Sequence, residues 1–228
     1  MNKFISIIAL CVFSSYANAA FTLNSTRYIY NEGQQSVSVN IHNESEHKYG
    51  GQVWIDNIDK NGEVVFFSPS PMVFKLNPKQ KQIVRIVNIN DNLPKDRESI
   101  FWLNVQEIPP APKGDGGSLS LAINNRVKLI YRPIALKNGR DEAENNIKLI
   151  NSGTDSCLEN TTPYYFAISD VKINGKSIDL NSDAKNKMGV FSPFSKVCLG
   201  NVNTSGNITV TAFNDYGVAT SYTVQRSK

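Results

Sequence analysis

Short runs of alternating apolar and polar residues dominate this chain. Val37, Val39 and Ile41 alternate with Ser38 and Asn40, which is the period-2 pattern of a half-buried β-strand. Similar runs rich in Val, Ile, Phe and Tyr are separated by turn residues such as Asn, Gly and Pro. No segment sustains the 3.6-residue apolar period of an amphipathic helix. The pattern therefore predicts an all-β protein.

The strand-like runs fall into two groups. The first group predicts eight strands, at 21–30, 35–43, 52–58, 64–67, 73–76, 82–87, 100–108 and 119–131. This spacing is typical of an immunoglobulin-like β-sandwich. The second group predicts strands at 147–151, 164–168, 171–173, 187–191, 208–213 and 221–225.

The two groups are separated by a change in composition. The chain becomes polar and charged over 135–146, just after Pro133. We therefore predict two immunoglobulin-like β-sandwich domains arranged as an elbow, over 20–137 and 138–228.

The first 19 residues have the features of a signal peptide. Lys3 is followed by a short apolar run over 4–13, and Ala17-Asn18-Ala19 fits small-residue cleavage before Ala20. The run is too short to span a bilayer as a helix, and no other segment is apolar enough to be a membrane anchor. The sequence thus predicts an exported protein that begins at Ala20.

Export changes the interpretation of the three cysteines. Cys11 lies in the predicted signal peptide, which leaves Cys157 and Cys198. In an oxidising compartment an even pair is most simply a structural disulfide. The net charge of +4 is mild and does not indicate a nucleic-acid partner.

The residues that could support catalysis are sparse. The chain has two histidines, His42 and His47, in a polar stretch, and a zinc site would require further ligands. No nucleophile elbow, phosphate loop or HExxH pattern is present. We expect no enzymatic activity, no metal and no cofactor.

One predicted strand segment has two interpretations. Leu119, Leu121 and Ile123 fall on one face, with small polar residues between them. Taken alone, this pattern more simply places the three side chains in the domain's own core. They could instead face outward from a sheet edge, which a partner would use by β-augmentation.

Two cations also lie inside predicted strands. Arg27 is in the first strand and Lys128 in the last strand of the first domain. Each could simply be an exposed edge residue. If the two meet in a cleft between the domains, they could bind a carboxylate, arginine through its fork and lysine as a point charge.

Four motifs carry a resemblance to a known family. The first joins 96–104 and 107–110, and the others are 128–133, 160–165 and 214–217. With these motifs in this order, the chain resembles the periplasmic pilus chaperones of the chaperone–usher pathway over nearly all of 20–228. The connector over 111–118 resembles that of the short-loop subclass.

The resemblance implies a periplasmic chaperone that folds and caps pilin subunits by donor-strand complementation. Arg27 and Lys128 match the cations that anchor a pilin's C-terminal carboxylate, and Leu119, Leu121 and Ile123 match the donor strand. The donor residues occupy odd positions and Lys128 an even one. A bulge must therefore intervene if all of them face one cleft.

The resemblance also implies an interdomain charge network and further partners. Glu98, Arg132 and Asp215 match a network that fixes the angle between the domains. The chaperone would deliver pilins to an outer-membrane usher through a surface around Pro69, Pro71 and Arg85, and free chaperone could cap its own edge as a homodimer. The alternative function is a secreted two-domain adhesin, with Leu119–Ile123 buried in its own core.

Overall fold

The structure is a computed structural model that describes residues 20–58, 64–111, 120–152, 155–200 and 202–227. The predicted signal peptide and Leu119 lie outside the described residues. About half of the chain (51%) is strand, so the all-β prediction is confirmed.

In the described residues of the first sandwich there are nine strands. They are β1 (Phe21–Leu23), β2 (Arg27–Asn31), β3 (Val37–Asn43), β4 (Tyr49–Asn57), β5 (Phe67–Ser70), β6 (Val73–Leu76), β7 (Lys81–Asn88), β8 (Ser99–Ile108) and β9 (Asn124–Arg132). One sheet has the strand order β1-β3-β7-β5, and the other has the order β2-β9-β8-β4-β6.

The second sandwich follows two short 3-10 helices, Ile134–Gly139 and Ala143–Asn146. Its elements are β10 (Ile147–Ser152), β11 (Asp155–Asn160), β12 (Ile168–Ile173), β13 (Lys176–Ser177), α1 (Ser182–Gly189), β14 (Lys196–Cys198), β15 (Ile208–Phe213), β16 (Ala219–Thr223) and β17 (Gln225–Arg226). The sheets have the orders β14-β11-β10-β17 and β13-β12-β15-β16.

Each sandwich has its own apolar core. In the first, Val39 and Val84 of one sheet pack against Leu103 and Leu129 of the other. In the second, a separate cluster joins residues of both sheets, among them Leu158 and Val210. Two independent cores are what two immunoglobulin-like domains require.

The first predicted strand differs from the structure. The run over 21–30 divides into β1, which pairs antiparallel with β3, and β2, which pairs parallel with β9 in the other sheet. The Ser25 hydroxyl donates to the Arg27 carbonyl at 2.6 Å, a local bond that competes with strand pairing. The chain changes sheets here, and this change places Arg27 beside β9.

The predicted strand over 187–191 is wrong in the structure. Most of it belongs to α1, whose N-cap residue Asn181 accepts a hydrogen bond from the Ala184 amide at 2.8 Å. A cap and one acidic residue in the first turn, Asp183, stabilise so short a helix. Strands β11, β13 and β14 were not predicted, because their sequences are too polar or too short to show alternation.

Candidate functional site

The parallel pairing of β2 with β9 brings the two predicted anchor cations together. Arg27 and Lys128 are direct partners in this register. On β9, Leu129 and Tyr131 point into the core, so Lys128 lies on the opposite face of the sheet. Both cations line a cleft of about 230 Å³ whose other wall comes from the second domain.

The second domain supplies carbonyl groups to both cations. Arg27 Nη1 donates to the Phe213 carbonyl at 2.9 Å, and its guanidinium lies 5.6 Å from the centre of the Phe213 ring. Lys128 Nζ donates to the carbonyl of Gly189, the last residue of α1. Arg27 Nε is buried and has no hydrogen-bond partner.

Neither cation has a carboxylate within 4.0 Å among the described residues. Burial, and secondarily the charge of Arg27, lowers the pKa of Lys128 to about 8. Burial also lowers the pKa of Arg27, although Asp215 partly opposes it. Two adjacent, partly desolvated cations without a counter-ion form a site that favours a bound anion.

The predicted donor residues are exposed where the structure describes them. Leu121 is 74% and Ile123 43% exposed, so neither fills the domain's own core. Strand β9 begins only at Asn124, although the Glu107 amide still bonds to the Ile123 carbonyl at 2.9 Å. The predicted strand over 119–131 is therefore shorter in the structure.

Strand β9 contains no bulge where it pairs with β8. Its pairing with β8 runs without a register shift from Asn124 to Tyr131. Leu121 and Ile123 share the odd parity of the core-facing residues, but both precede β9 and both are exposed. Within the described residues, the unbroken register therefore does not place Ile123 on the same face as Lys128.

The three residues of the predicted charge network are in contact. Arg132 Nε donates to Glu98 at 2.6 Å, and Nη1 and Nη2 donate to the two Asp215 oxygens at 2.7 and 3.1 Å. The second oxygen of Glu98 accepts the Tyr165 amide at 2.8 Å. The side chains of Arg132 and Glu98 are almost fully buried.

The network extends to Arg140 and Glu144, which we did not predict. Arg140 binds Glu144 with two bonds of 2.7 and 2.9 Å, and its Nε lies 3.5 Å from Asp215. Asp215 is therefore shared by two arginines. An Arg and a Glu four residues apart were the available signal, but the pattern also fits an exposed pair.

Burial and pairing act in opposite directions on the network acids. Burial raises the pKa of Glu98, although Arg132 opposes this shift. Burial acts in the same direction on Asp215, but the hydrogen bonds from Arg132 and the charges of Arg132, Arg140 and Arg27 together outweigh burial and lower the pKa of that carboxyl. Asp215 is therefore ionised at neutral pH, as a carboxylate between two arginines should be.

The remaining candidate residues have simpler roles. Cys157 and Cys198 form a disulfide between paired residues of β11 and β14, as predicted. His42 Nδ1 lies 3.5 Å from Glu44 at the surface. Within the described ranges, no cluster of three or more His, Cys, Asp or Glu could hold a metal ion. In the same ranges no helix is long and apolar enough to cross a membrane.

Two family models match the chain. Residues 20–137 match the family described as pili and flagellar-assembly chaperone, PapD N-terminal domain. Residues 142–224 match the family described as pili assembly chaperone PapD, C-terminal domain. Together the two models cover most of the chain.

Characterised proteins with similar sequences and structures agree. The chain is 38% identical to the chaperone protein FaeE of Escherichia coli, over 97% of this chain and 84% of FaeE. The crystal structure of the periplasmic chaperone SfaE covers 90% of this chain and 99% of its own, at 31% identity and a TM-score of 0.70. The SafB chaperone in complex with the SafA pilin of Salmonella enterica covers 92% and 98%, at 26% identity and a TM-score of 0.77.

Proposed function

The chain belongs to the family of pilus assembly chaperones, and on that premise we propose that it captures a pilin by binding the pilin's C-terminal carboxylate between Arg27 and Lys128. A protein of this family is a chaperone and not an enzyme. The observation that carries the proposal is the pair of adjacent cleft cations without a carboxylate partner in the described part of the chain.

A carboxylate suits this pair chemically. It would pair with the Arg27 guanidinium, which has no carboxylate partner among the described residues, and it would offset the mutual repulsion of the two cations. Charge-assisted bonds of this kind are roughly twice as strong as neutral ones. The carbonyls of Gly189 and Phe213 hold the cations in position until the carboxylate arrives.

We further propose that Leu119, Leu121 and Ile123 are donated to the pilin as a strand. The exposure of Leu121 and Ile123 supports this assignment, since exposed large apolar side chains in a strand-like segment are an aggregation hazard unless a partner covers them. The adhesin alternative required these residues to be buried in their own core. Their exposure therefore favours the chaperone.

The charge network would hold the cleft open at a fixed angle. Arg132 and Glu98 belong to the first domain, whereas Asp215 and the Tyr165 amide belong to the second. The network therefore joins the two domains directly beside the anchor cations. We propose that this junction keeps Arg27 and Lys128 aligned with the donor segment.

The remaining assignments rest on the family resemblance. We propose that the chaperone is exported by residues 1–19 to the periplasm and delivers pilins to an outer-membrane usher. Around Arg85, the exposed side chains of Ile83 and Val87 on the same face of β7 support an usher-binding surface. Pro69 is buried and contributes nothing to it directly. A self-capped homodimer would cover the donor segment in the free protein.

The decisive experiment is co-expression of the tagged chain with the pilin genes encoded next to its own gene, followed by a periplasmic pull-down. The wild type should recover a pilin in stoichiometric amount, and the Lys128→Ala and Arg27→Ala variants should recover none. Lys148→Ala is the matched control, because Lys148 is an exposed strand lysine outside the cleft.

The outcomes separate the parts of the proposal. Recovery with wild type and Lys148→Ala only supports the chaperone and its anchor together. Recovery of a pilin with every variant would support the chaperone function but contradict the proposed role of Arg27 and Lys128 as its anchor. A folded wild-type protein that captures no pilin would contradict the proposed function.

A further inference from the structure

The anchor cleft is larger than a carboxylate requires. Its volume is about 230 Å³, whereas about 10–15 Å³ in the same measure accommodates a water molecule. A carboxylate held by Arg27 and Lys128 would leave most of the cleft free. The side chain next to that carboxylate is the group best placed to enter the remaining space.

The free part of the cleft is mainly apolar. Trp102 of the first domain faces the second domain's Ala167 and Phe213. Trp102 is half-buried and does not belong to the core of its own sandwich. A large aromatic side chain that lines a cleft without serving the core is available to bind a ligand.

The charges around the cleft discriminate between side chains. The lining contains three cations, Arg27, Arg126 and Lys128, and no carboxylate. Arg126 stacks over Trp102 at 5.4 Å and is paired with Asp56 at 3.2 Å. A third cation held at this position would repel a basic side chain, whereas an aliphatic or aromatic side chain would contact the Trp102 ring.

We propose that the cleft is a selectivity pocket that accepts an apolar C-terminal residue of the pilin and rejects a basic one, with Trp102 as the residue that sets this preference. The proposal rests on the proposed carboxylate anchor and adds the identity of the residue that carries it. Because the pocket walls come from both domains, selectivity also depends on the interdomain junction.

The two tryptophans of the chain provide the measurement. In the Trp54→Phe variant, Trp102 is the only tryptophan, and its fluorescence reports occupancy of the cleft. The probes are synthetic peptides of alternating Thr and Val that differ only in the last residue, which is Leu, Ala or Lys. A fourth peptide ends in Leu-amide and lacks the carboxylate.

The peptide ending in Leu should bind about tenfold more tightly than the one ending in Ala, because its side chain buries additional methylene groups against Trp102. The peptide ending in Lys should bind more weakly than both, and Leu-amide should not bind measurably. Equal affinity for Leu, Ala and Lys, with a continued need for the carboxylate, would overturn the pocket and leave the anchor intact. Equal binding of Leu-amide, or no binding of any peptide, would overturn both.

A pair of variants tests Trp102 itself, with calorimetry as the readout. Trp102→Leu should reduce the preference for Leu over Ala to about twofold while the peptide still requires its carboxylate. Trp54→Leu is the matched control, since Trp54 lies on β4 and does not line the cleft. It should keep the full preference. An unchanged preference in Trp102→Leu would overturn the assignment of Trp102.

Discussion

Arg132 and Arg27 lie at the same junction between the two domains, yet their surroundings are opposite. Arg132 is buried and donates three hydrogen bonds to two carboxylates. Arg27 is only partly buried, donates to a backbone carbonyl, and keeps one buried nitrogen without a partner. A cation that is paired with carboxylates stabilises the structure it is part of, whereas a cation without a carboxylate partner can still bind one.

The pKa shifts follow the same division. Burial lowers the pKa of Arg132, but the hydrogen bonds that it donates to Asp215 and Glu98 and the charges of both carboxylates together outweigh burial and raise the pKa. Burial dominates at Arg27 and lowers its pKa. Lys128 follows Arg27, with a pKa of about 8. Burial of Arg27 and Lys128 therefore destabilises the free protein, and a bound carboxylate would offset that destabilisation.

The largest expected loss of stability comes from removing Arg132, the cation that is paired with carboxylates. Arg132→Ala leaves Glu98 and Asp215 without their arginine, and an uncompensated buried charge costs about 3–5 kcal/mol. Denaturant unfolding should show this loss. Lys185→Ala removes an exposed pair with Asp179 and should change the midpoint little. A similar small change for both variants would mean that the network is not structural.

At pH 7, Lys128→Met should stabilise the folded protein, in contrast to Arg132→Ala. Removal of a charge that burial disfavours should raise the free energy of unfolding by about 1–2 kcal/mol, less than the full pKa shift implies, because the bond to Gly189 is also lost. The same variant should capture no pilin. A loss of stability would instead show that Lys128 mainly ties the two domains together.

The pH dependence sharpens this test. The pKa of Lys128 is about 8 in the folded protein and about 10.4 in an unfolded chain. Between these pH values the unfolded state binds more protons than the folded state. The free energy of unfolding of the wild type therefore rises with pH over this range. The difference in unfolding free energy between Lys128→Met and wild type should therefore be constant below pH ~8 and shrink above it.

Binding should change in the other direction over the same pH range. The carboxylate requires the protonated ammonium group, so affinity for a pilin C-terminal peptide should fall by up to about tenfold per pH unit above pH ~8. Fluorescence titration at several pH values measures this slope. An affinity that does not change with pH would contradict the proposal that Lys128 binds the carboxylate.

The smallest effect on stability is expected at the donor segment. Leu121→Thr changes a side chain that is 74% exposed, so unfolding should shift by no more than about 0.5 kcal/mol, while pilin capture should weaken. Leu76→Ala, at a 3% exposed core position, should cost about 2–5 kcal/mol. A large loss for Leu121→Thr would mean that the segment packs against its own domain.

Residues with a clear local pattern were predicted correctly. Strands β6 and β15 begin and end where the alternation of apolar residues places them. The disulfide followed from an even number of cysteines in a chain that the sequence predicts to be exported. By contrast, α1 is held by its cap and its packing against β12 and β14. Its sequence lacks a sustained apolar period, so the helix was not predicted.

The candidate site shows the same limit. Glu98, Arg132 and Asp215 were named from motifs, and the structure brings them into contact. Arg140 and Glu144 belong to the same cluster but lie in a polar segment that sequence alone presents as solvated. The Trp102 wall was also missed, because an aromatic residue inside a strand more often belongs to a core.

The sequence alone determined the all-β composition and the pair of cysteines, because these depend on local patterns and on residue type. The tertiary structure decided which of the cations at the domain junction is paired with carboxylates and which is not. The change of sheet between β1 and β2 sets Arg27 beside Lys128, while the approach of the second domain adds Asp215 to the Glu98 carboxylate that already pairs with Arg132. Charge compensation depends on distances of a few ångströms between residues far apart in the chain, and only folding sets those distances.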